Sequence, residues 1–196
     1  DIDLFGAASE EVIDPRVFEE TADGRAHRDV VTHTRDARAL AAFLRTLVAT
    51  RSAWVRFQDG DRNALTPRAR RGLAVFDGKA GCVGCHNGLL LTDQQFHNVG
   101  IGMAAAKPDL GRWDMTKNER DRGAFKTPTL LNVSRSAPYF HDGSVSTLEE
   151  AVDLMAAGGI PNANRDPALK PARLTPSERE DLLGFLQELT VDFEVA

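Results

Sequence analysis

The chain has 196 residues, with 24 Lys plus Arg against 29 Asp plus Glu and a formal charge of −5. At roughly 100–200 residues per domain this is a single-domain length, enough to bury a core without disulfide staples, and its 42% apolar and 27% charged residues exclude global disorder. The acidic balance argues against a nucleic-acid binder, and no stretch approaches the ~20 apolar residues of a membrane span.

The sequence opens on Asp1 without an initiator Met or an apolar leader, as a mature chain or another processed product would, and a removed signal peptide would leave no trace in it. Residues 1–36 read as an irregular lead-in, punctuated by Gly6, Pro15 and Gly24. Its acidic residues Glu10, Glu11, Glu19 and Glu20 read as solvated surface charge. Residues 36–50 predict an amphipathic helix, with Leu40, Phe43, Leu44, Leu47 and Val48 on one face and Arg38 and Arg45 on the wet side. A second helix starts at Leu65-Thr66-Pro67, where Thr66 caps and Pro67 takes the first helical position. Leu73 and Phe76 point inward from it, and Asp77-Gly78 ends it.

Residues 87–146 are broken too often by Gly and Pro for long elements. An irregular stretch of that length needs an organiser, and a large cofactor is one. A third helix begins at Thr147, where Glu150 completes a capping box and Leu148, Val152 and Met155 share a face. Gly158-Gly159 stops it. A fourth begins at Leu174-Thr175-Pro176, with Glu178 in the box and Leu182, Leu183, Leu186 and Leu189 as its stripe.

The two cysteines of the chain decide the chemistry. Residues 82–86 read Cys82-Val83-Gly84-Cys85-His86, the attachment signature of a c-type haem. Two thiols add to the two haem vinyl groups as thioethers, and the adjacent imidazole supplies the proximal nitrogen. Gly81 and Gly84 keep side chains away where backbone meets porphyrin. A thioredoxin-like pair would follow a strand in an α/β pattern, which is missing. A structural zinc site needs further Cys or His at set spacing, also missing. The second axial position has Met103, Met115, Met155, His97, His141 and Tyr139 as candidates. Met155 ranks first because a capped helix holds its side chain rigidly on the inward face.

Further blocks surround this motif: A-L-A-A-F-L-R-T-L (39–47), G-D-R-N-A-L-T-P-R-A-R-R-G-L-A-V-F (60–76), C-V-G-C-H-N-G (82–88), F-H-N-V-G (96–100), F-K-T-P-T-L-L-N-V (125–133), A-P-Y-F-H-D-G (137–143), T-L-E-E-A-V (147–152) and the tail 174–190. Together they resemble the C-terminal haem domain of the bacterial dihaem cytochrome c peroxidase and MauG-like family. The resemblance implies an all-α, cytochrome c-like domain over residues 37–196, with few helices around one covalently attached haem and long irregular loops. It makes His86 the proximal ligand and places Met155 where family peroxidases have a distal Met and MauG a Tyr. It sets His141 at the haem edge as a hydrogen-bonding group. It further implies a calcium ion held in part by backbone carbonyls of Ser136 and Pro138. Arg112, Lys126 and Arg135 lie within or beside matched blocks and are candidates for pairing with the haem propionates. Trp54 falls where the family has a core aromatic, and Trp113 lies in a Gly-rich loop.

The family carries two C-x-x-C-H motifs and this chain carries one. The expectation is therefore electron transfer through a His86/Met155-ligated haem, exchanged with a small redox protein or a second haem-bearing domain. The alternative is peroxidase chemistry, either with that second haem or with the distal site opened, when His97 or His141 would be the acid–base candidate. Attachment of this kind implies a periplasmic or otherwise exported protein.

Overall fold

The computed structural model describes residues 33–48, 52–191 and 194–195. Most of the 1–36 lead-in, including its four glutamates, lies outside them. The chain divides into two units, Asp1–Leu47 with Val195–Ala196, and Val48–Glu194. In the first, helix α1 spans His33–Thr46. It starts three residues before the amphipathic pattern begins and ends four short of its expected limit. Leu40, Phe43 and Leu44 on its apolar stripe are exposed. Periodicity reports that a stripe exists and does not report what covers it.

The second unit is a small helical frame threaded by long loops. Helix α2 (Ala53–Gln58) is capped by Ser52, whose hydroxyl accepts from the Val55 N–H. Helix α3 (Pro67–Asp77) starts at Thr66, whose hydroxyl accepts from the Ala69 N–H, with Pro67 at the first helical position. Helix α5 (Leu148–Ala156) and helix α6 (Pro176–Glu188) each open with a complete capping box, Thr147/Glu150 and Thr175/Glu178. Between α3 and α5 lie the two-residue strands β2 (Phe96–His97) and β3 (Phe125–Lys126) and the single turn α4 (Trp113–Thr116). Strands β2 and β3 pair antiparallel, Phe96 opposite Lys126 and His97 opposite Phe125. Among the described residues there are two further two-residue strands, β1 (Leu47–Val48) and β4 (Glu194–Val195).

The core gathers where α3, α5 and α6 meet. Phe76, Phe185, Leu65 and Leu189 are its largest fully buried side chains. Phe185 meets Trp54 and Phe76 edge-on, with ring centroids 5.7 and 5.2 Å apart. Trp54 is core, as expected, and its indole N–H donates to the Leu89 carbonyl at 2.9 Å. Helix α6 is the strut of the unit. Arg71 on α3 forms a two-pronged bond with Asp181 at 2.8 and 2.7 Å, and Arg179 on α6 does the same with Asp153 on α5. Among the described residues no helix is long and apolar enough to cross a membrane.

Candidate functional site

Helix α3 delivers the chain into the cysteine motif. Past Asp77 the backbone tightens, with Ala80 N–H donating to the Val75 carbonyl at 2.9 Å. Gly81 then adopts a left-handed φ of 66° and starts a single 3-10 turn over Cys82–Gly84. No heavy atom lies within 4 Å of where a Cβ would stand on Gly81 or Gly84. Within the polypeptide, backbone conformation is the constraint at Gly81. The Cys82 carbonyl accepts from both Cys85 and His86 N–H, at 3.2 and 2.9 Å, which brings the two cysteines onto one short turn.

Both thiols are free and half-buried. Burial pushes the Cys82 thiol up to about 11, and Cys85 is raised as well, by burial first and then by the charges of Asp93 and Asp166. His86 Nδ1 lies 3.0 Å from the Leu91 carbonyl. A carbonyl only accepts, so Nδ1 carries the proton, and the neutral ring keeps its lone pair on Nε2. Burial holds the His86 pKa below its ordinary value, favouring that neutral form, against the opposing hydrogen bond to the Leu91 carbonyl and the negative charge of Asp93. The donor set is thus two unpaired thiols and a backbone-oriented neutral imidazole. Val83, Leu89, Leu90 and Phe96 flank it in the chain and are all exposed. Thiols, an oriented imidazole and apolar surface are what a covalently attached porphyrin requires, so the residues present fit a haem.

The remaining sequence candidates are placed as follows. Met155 stands in the last turn of α5 and is half-buried, on a helix whose Leu148, Ala151 and Val152 are buried. Met115 is 87% exposed, while Met103 is half-buried, its sulfur close to where a Cβ on Gly123 would stand. Tyr139 is buried and its hydroxyl donates to the Val133 carbonyl at 2.9 Å. His141 is exposed and its ring stacks on Phe125 at 3.5 Å. Arg112 lies over the Phe96 ring at 4.1 Å, with its Nε 3.5 Å from Asp121. Lys126, opposite Phe96 in the β2–β3 pair, is exposed, as is Arg135 at the end of the Val133–Arg135 turn. Ser136 and Pro138 are exposed, and the Ala137–Pro138 peptide is cis. Trp113, half-buried, donates to Glu119 and lies under the Lys117 ammonium.

His97 is engaged on both sides. Its Nδ1 lies 2.6 Å from Asp166 and its Nε2 2.9 Å from Asp93. Burial opposes its charge, but the hydrogen bonds and negative charges of Asp166 and Asp93 outweigh that and hold its pKa above the ordinary value. Cys85, Asp93 and His97 bring ligand atoms within 4.8 Å of one another. With both ring nitrogens taken by carboxylates, the trio is a charge cluster beside the motif and not three open metal ligands. Sequence reasoning named His97 but neither of its partners. Asp93 is four residues away, and Asp166 lies 69 residues off, beyond any local pattern.

No protein-family model matches the chain. Cytochrome-c peroxidase IdrP1 of Denitromonas iodatirespirans is 38% identical over 183 residues, covering 78% of this chain and 49% of that protein. Methylamine utilization protein MauG of Methylorubrum extorquens is 38% identical over 156 residues, covering 79% and 43%. The chain belongs to the bacterial dihaem cytochrome c peroxidase and MauG-like family. It spans about half the length of the curated relatives it matches, and corresponds to the C-terminal half of such peroxidase and MauG chains. A solved MauG-like protein associated with microbial copper homeostasis shares the architecture at TM-score 0.72 and 32% identity, over 83% of this chain and 58% of that one. The dihaem peroxidase BthA of Burkholderia thailandensis shares the fold at TM-score 0.54 and 23% identity, over 64% of this chain and 43% of that one. The expected all-α, cytochrome c-like fold is the fold found.

Proposed function

We propose that this chain is a c-type haem domain that carries electrons within a peroxidase or MauG-like particle. The single observation behind it is the orientation of His86. Its Nδ1–H is spent on the Leu91 carbonyl, so Nε2 would be the nitrogen offered to the iron, one residue beyond a pair of free thiols on a single turn. When bound, the haem supplies one-electron redox chemistry, and peroxide reactivity if an axial position is open.

The chain's own residues do the rest. Cys82 and Cys85 would hold one haem covalently, and the Leu91 carbonyl would set the basicity of His86. Met155 would complete the axial pair, with helix α5 fixing its approach. His141, stacked on Phe125, would hydrogen-bond at the haem edge. Arg112, Lys126 and Arg135 are proposed as propionate partners. Calcium, if taken up with the second domain, would use the backbone carbonyls of Ser136 and Pro138. The electron partner would be a small redox protein or a second haem-bearing domain, and covalent attachment would place assembly in the periplasm or another exported setting.

A peroxidase reading follows from relatives such as cytochrome-c peroxidase IdrP1, of which this chain spans about half. Under it, catalysis needs the second domain or an opened distal site. Low-temperature EPR of the ferric protein separates the two, alongside a haem count per chain. One haem, low-spin, with thioether ligation that disappears in Met155→Ala supports electron transfer. A substantial high-spin signal in the wild type hands the lead to peroxide chemistry. A count of zero in cells competent for attachment overturns both.

A further inference from the structure

We infer that His97 is a positioning residue, an imidazolium clamp that fixes the arm following α5 against the cysteine-bearing loop. A carboxylate can only accept hydrogen bonds, so two carboxylates on one imidazole require both ring nitrogens to donate. The geometry is 2.6 Å to Asp166 and 2.9 Å to Asp93, with the His97 side chain 22% exposed and its partners 21% and 16%. Such charge-assisted bonds are roughly twice as strong as neutral ones.

Each carboxylate is itself anchored in a different segment. Asp93 N–H donates to the Cys85 carbonyl at 2.8 Å, and Asp93 Oδ1 accepts from Gln95 N–H at 2.9 Å. Asp93 therefore moves with the attachment turn. Asp166 N–H donates to the Asn98 carbonyl at 3.0 Å, and Asp166 Oδ1 accepts from Ala168 N–H at 2.8 Å. Asp166 belongs to the 158–169 arm, which leaves α5 through bonds from Gly158 and Gly159 N–H to the Met155 and Leu154 carbonyls, at 2.9 and 3.0 Å. Ile160 N–H reaches the Val99 carbonyl at 2.9 Å and continues the seam. Without the imidazolium, the same fold would set the Asp93 and Asp166 carboxylates facing each other, and like charges push apart.

The clamp thus joins the segment after His86 to the segment after Met155. The consequence for the axial pair rests on the ligand reading given above; the clamp itself does not. The test measures amide hydrogen exchange of residues 158–169 in the holoprotein, with helix α6 as the internal reference. It is paired with the near-infrared thioether-to-iron band of the ferric state. In His97→Phe, exchange in the arm should accelerate at least tenfold while α6 stays unchanged, and the thioether band should weaken. In the double variant His97→Gln with Asp166→Asn, the Gln amide can donate to Asp93 and accept from Asn, so protection should return toward the wild type. Arm exchange unchanged in His97→Phe, or rising in step with α6, overturns the clamp. Arm-specific acceleration in a protein whose wild type lacks the thioether band upholds the clamp and removes Met155 as the ligand.

Discussion

Gly72 sits in the middle of α3, where helix propensity alone favours Ala by about 1 kcal/mol. The structure predicts the opposite sign. A Cβ built on Gly72 falls 2.0 Å from the Asp181 carbonyl oxygen and 2.7 Å from the Phe185 Cβ, against the 3.0 Å below which such contacts are essentially never found. The opposing atom is helix backbone, so no rotamer change relieves it. Helices α3 and α6 would have to part by about 1 Å at their closest approach. Overpacking of this kind costs ~1–3 kcal/mol, and here the upper part of that range applies because the displaced element also carries Phe185 and the Arg71–Asp181 bond. Subtracting the propensity gain leaves Gly72→Ala destabilising by about 2 kcal/mol. With a urea dependence of about 2 kcal/mol/M, the unfolding midpoint should fall by about 1 M. An equilibrium urea titration followed by far-UV circular dichroism reads this directly. An unchanged or raised midpoint would show that α3 and α6 do not meet as closely as described, and the packing account would fail.

Phe185→Ala should cost about 3–5 kcal/mol in the same titration, because the ring is fully buried and holds Trp54 and Phe76 edge-on. Thr175→Ala removes the cap that accepts from Glu178 N–H and should cost about 1 kcal/mol, with Thr175→Ser restoring it. Acid should loosen the α3–α6–α5 frame. Asp181 and Asp153 are held below their ordinary values chiefly by hydrogen bonds from Arg71 and Arg179, and the Glu178 carboxyl is lowered to about 2, chiefly by Lys79. Their folded values lie below their unfolded ones, so the stabilisation is full above the ordinary carboxylate range and is lost as pH falls toward 2. Denaturation midpoints measured from pH 7 downward should decline over that window, and a flat profile would contradict it. Met155→Ala should convert a low-spin ferric spectrum to high spin and speed reaction with peroxide in stopped-flow measurements; identical spectra would exclude Met155 as an iron ligand.

What was legible in the sequence follows the range of the interactions. Thr66-Pro67, Thr147 with Glu150 and Thr175 with Glu178 write their helix starts within four residues, and all three helices begin there. The attachment motif is equally local. Helix α2 went unread because six residues carry too little period, and only Trp54 marked it as core. Strands β2 and β3 are two residues each and have no alternation to read. The Gly72 approach and the His97 clamp were invisible for another reason. Their partners lie 109 and 113 residues from Gly72 for Asp181 and Phe185, and 69 residues from His97 for Asp166, and only folding brings them together.

The two ends of the proposed axial pair are braced from opposite sides by different kinds of interaction. On one side stands α6, which grips α3 through Gly72 and Arg71–Asp181 and grips α5 through Arg179–Asp153. Helix α3 leads to Cys82 and α5 carries Met155 in its last turn, so this strut sets the spacing of the two segments by close packing, with the two Arg–Asp pairs added to it. On the other side the His97 clamp and the Val99–Ile160 and Asn98–Asp166 bonds tie the loops after those helices. Packing resists displacement steeply, whereas a surface-near charge clamp is weakened by salt. Under the ligand reading, spacing between His86 and Met155 is thus held firmly at the helix side and adjustably at the loop side. Perturbing α6 should therefore destabilise the whole unit, and perturbing His97 should move the distal ligand while leaving the fold standing.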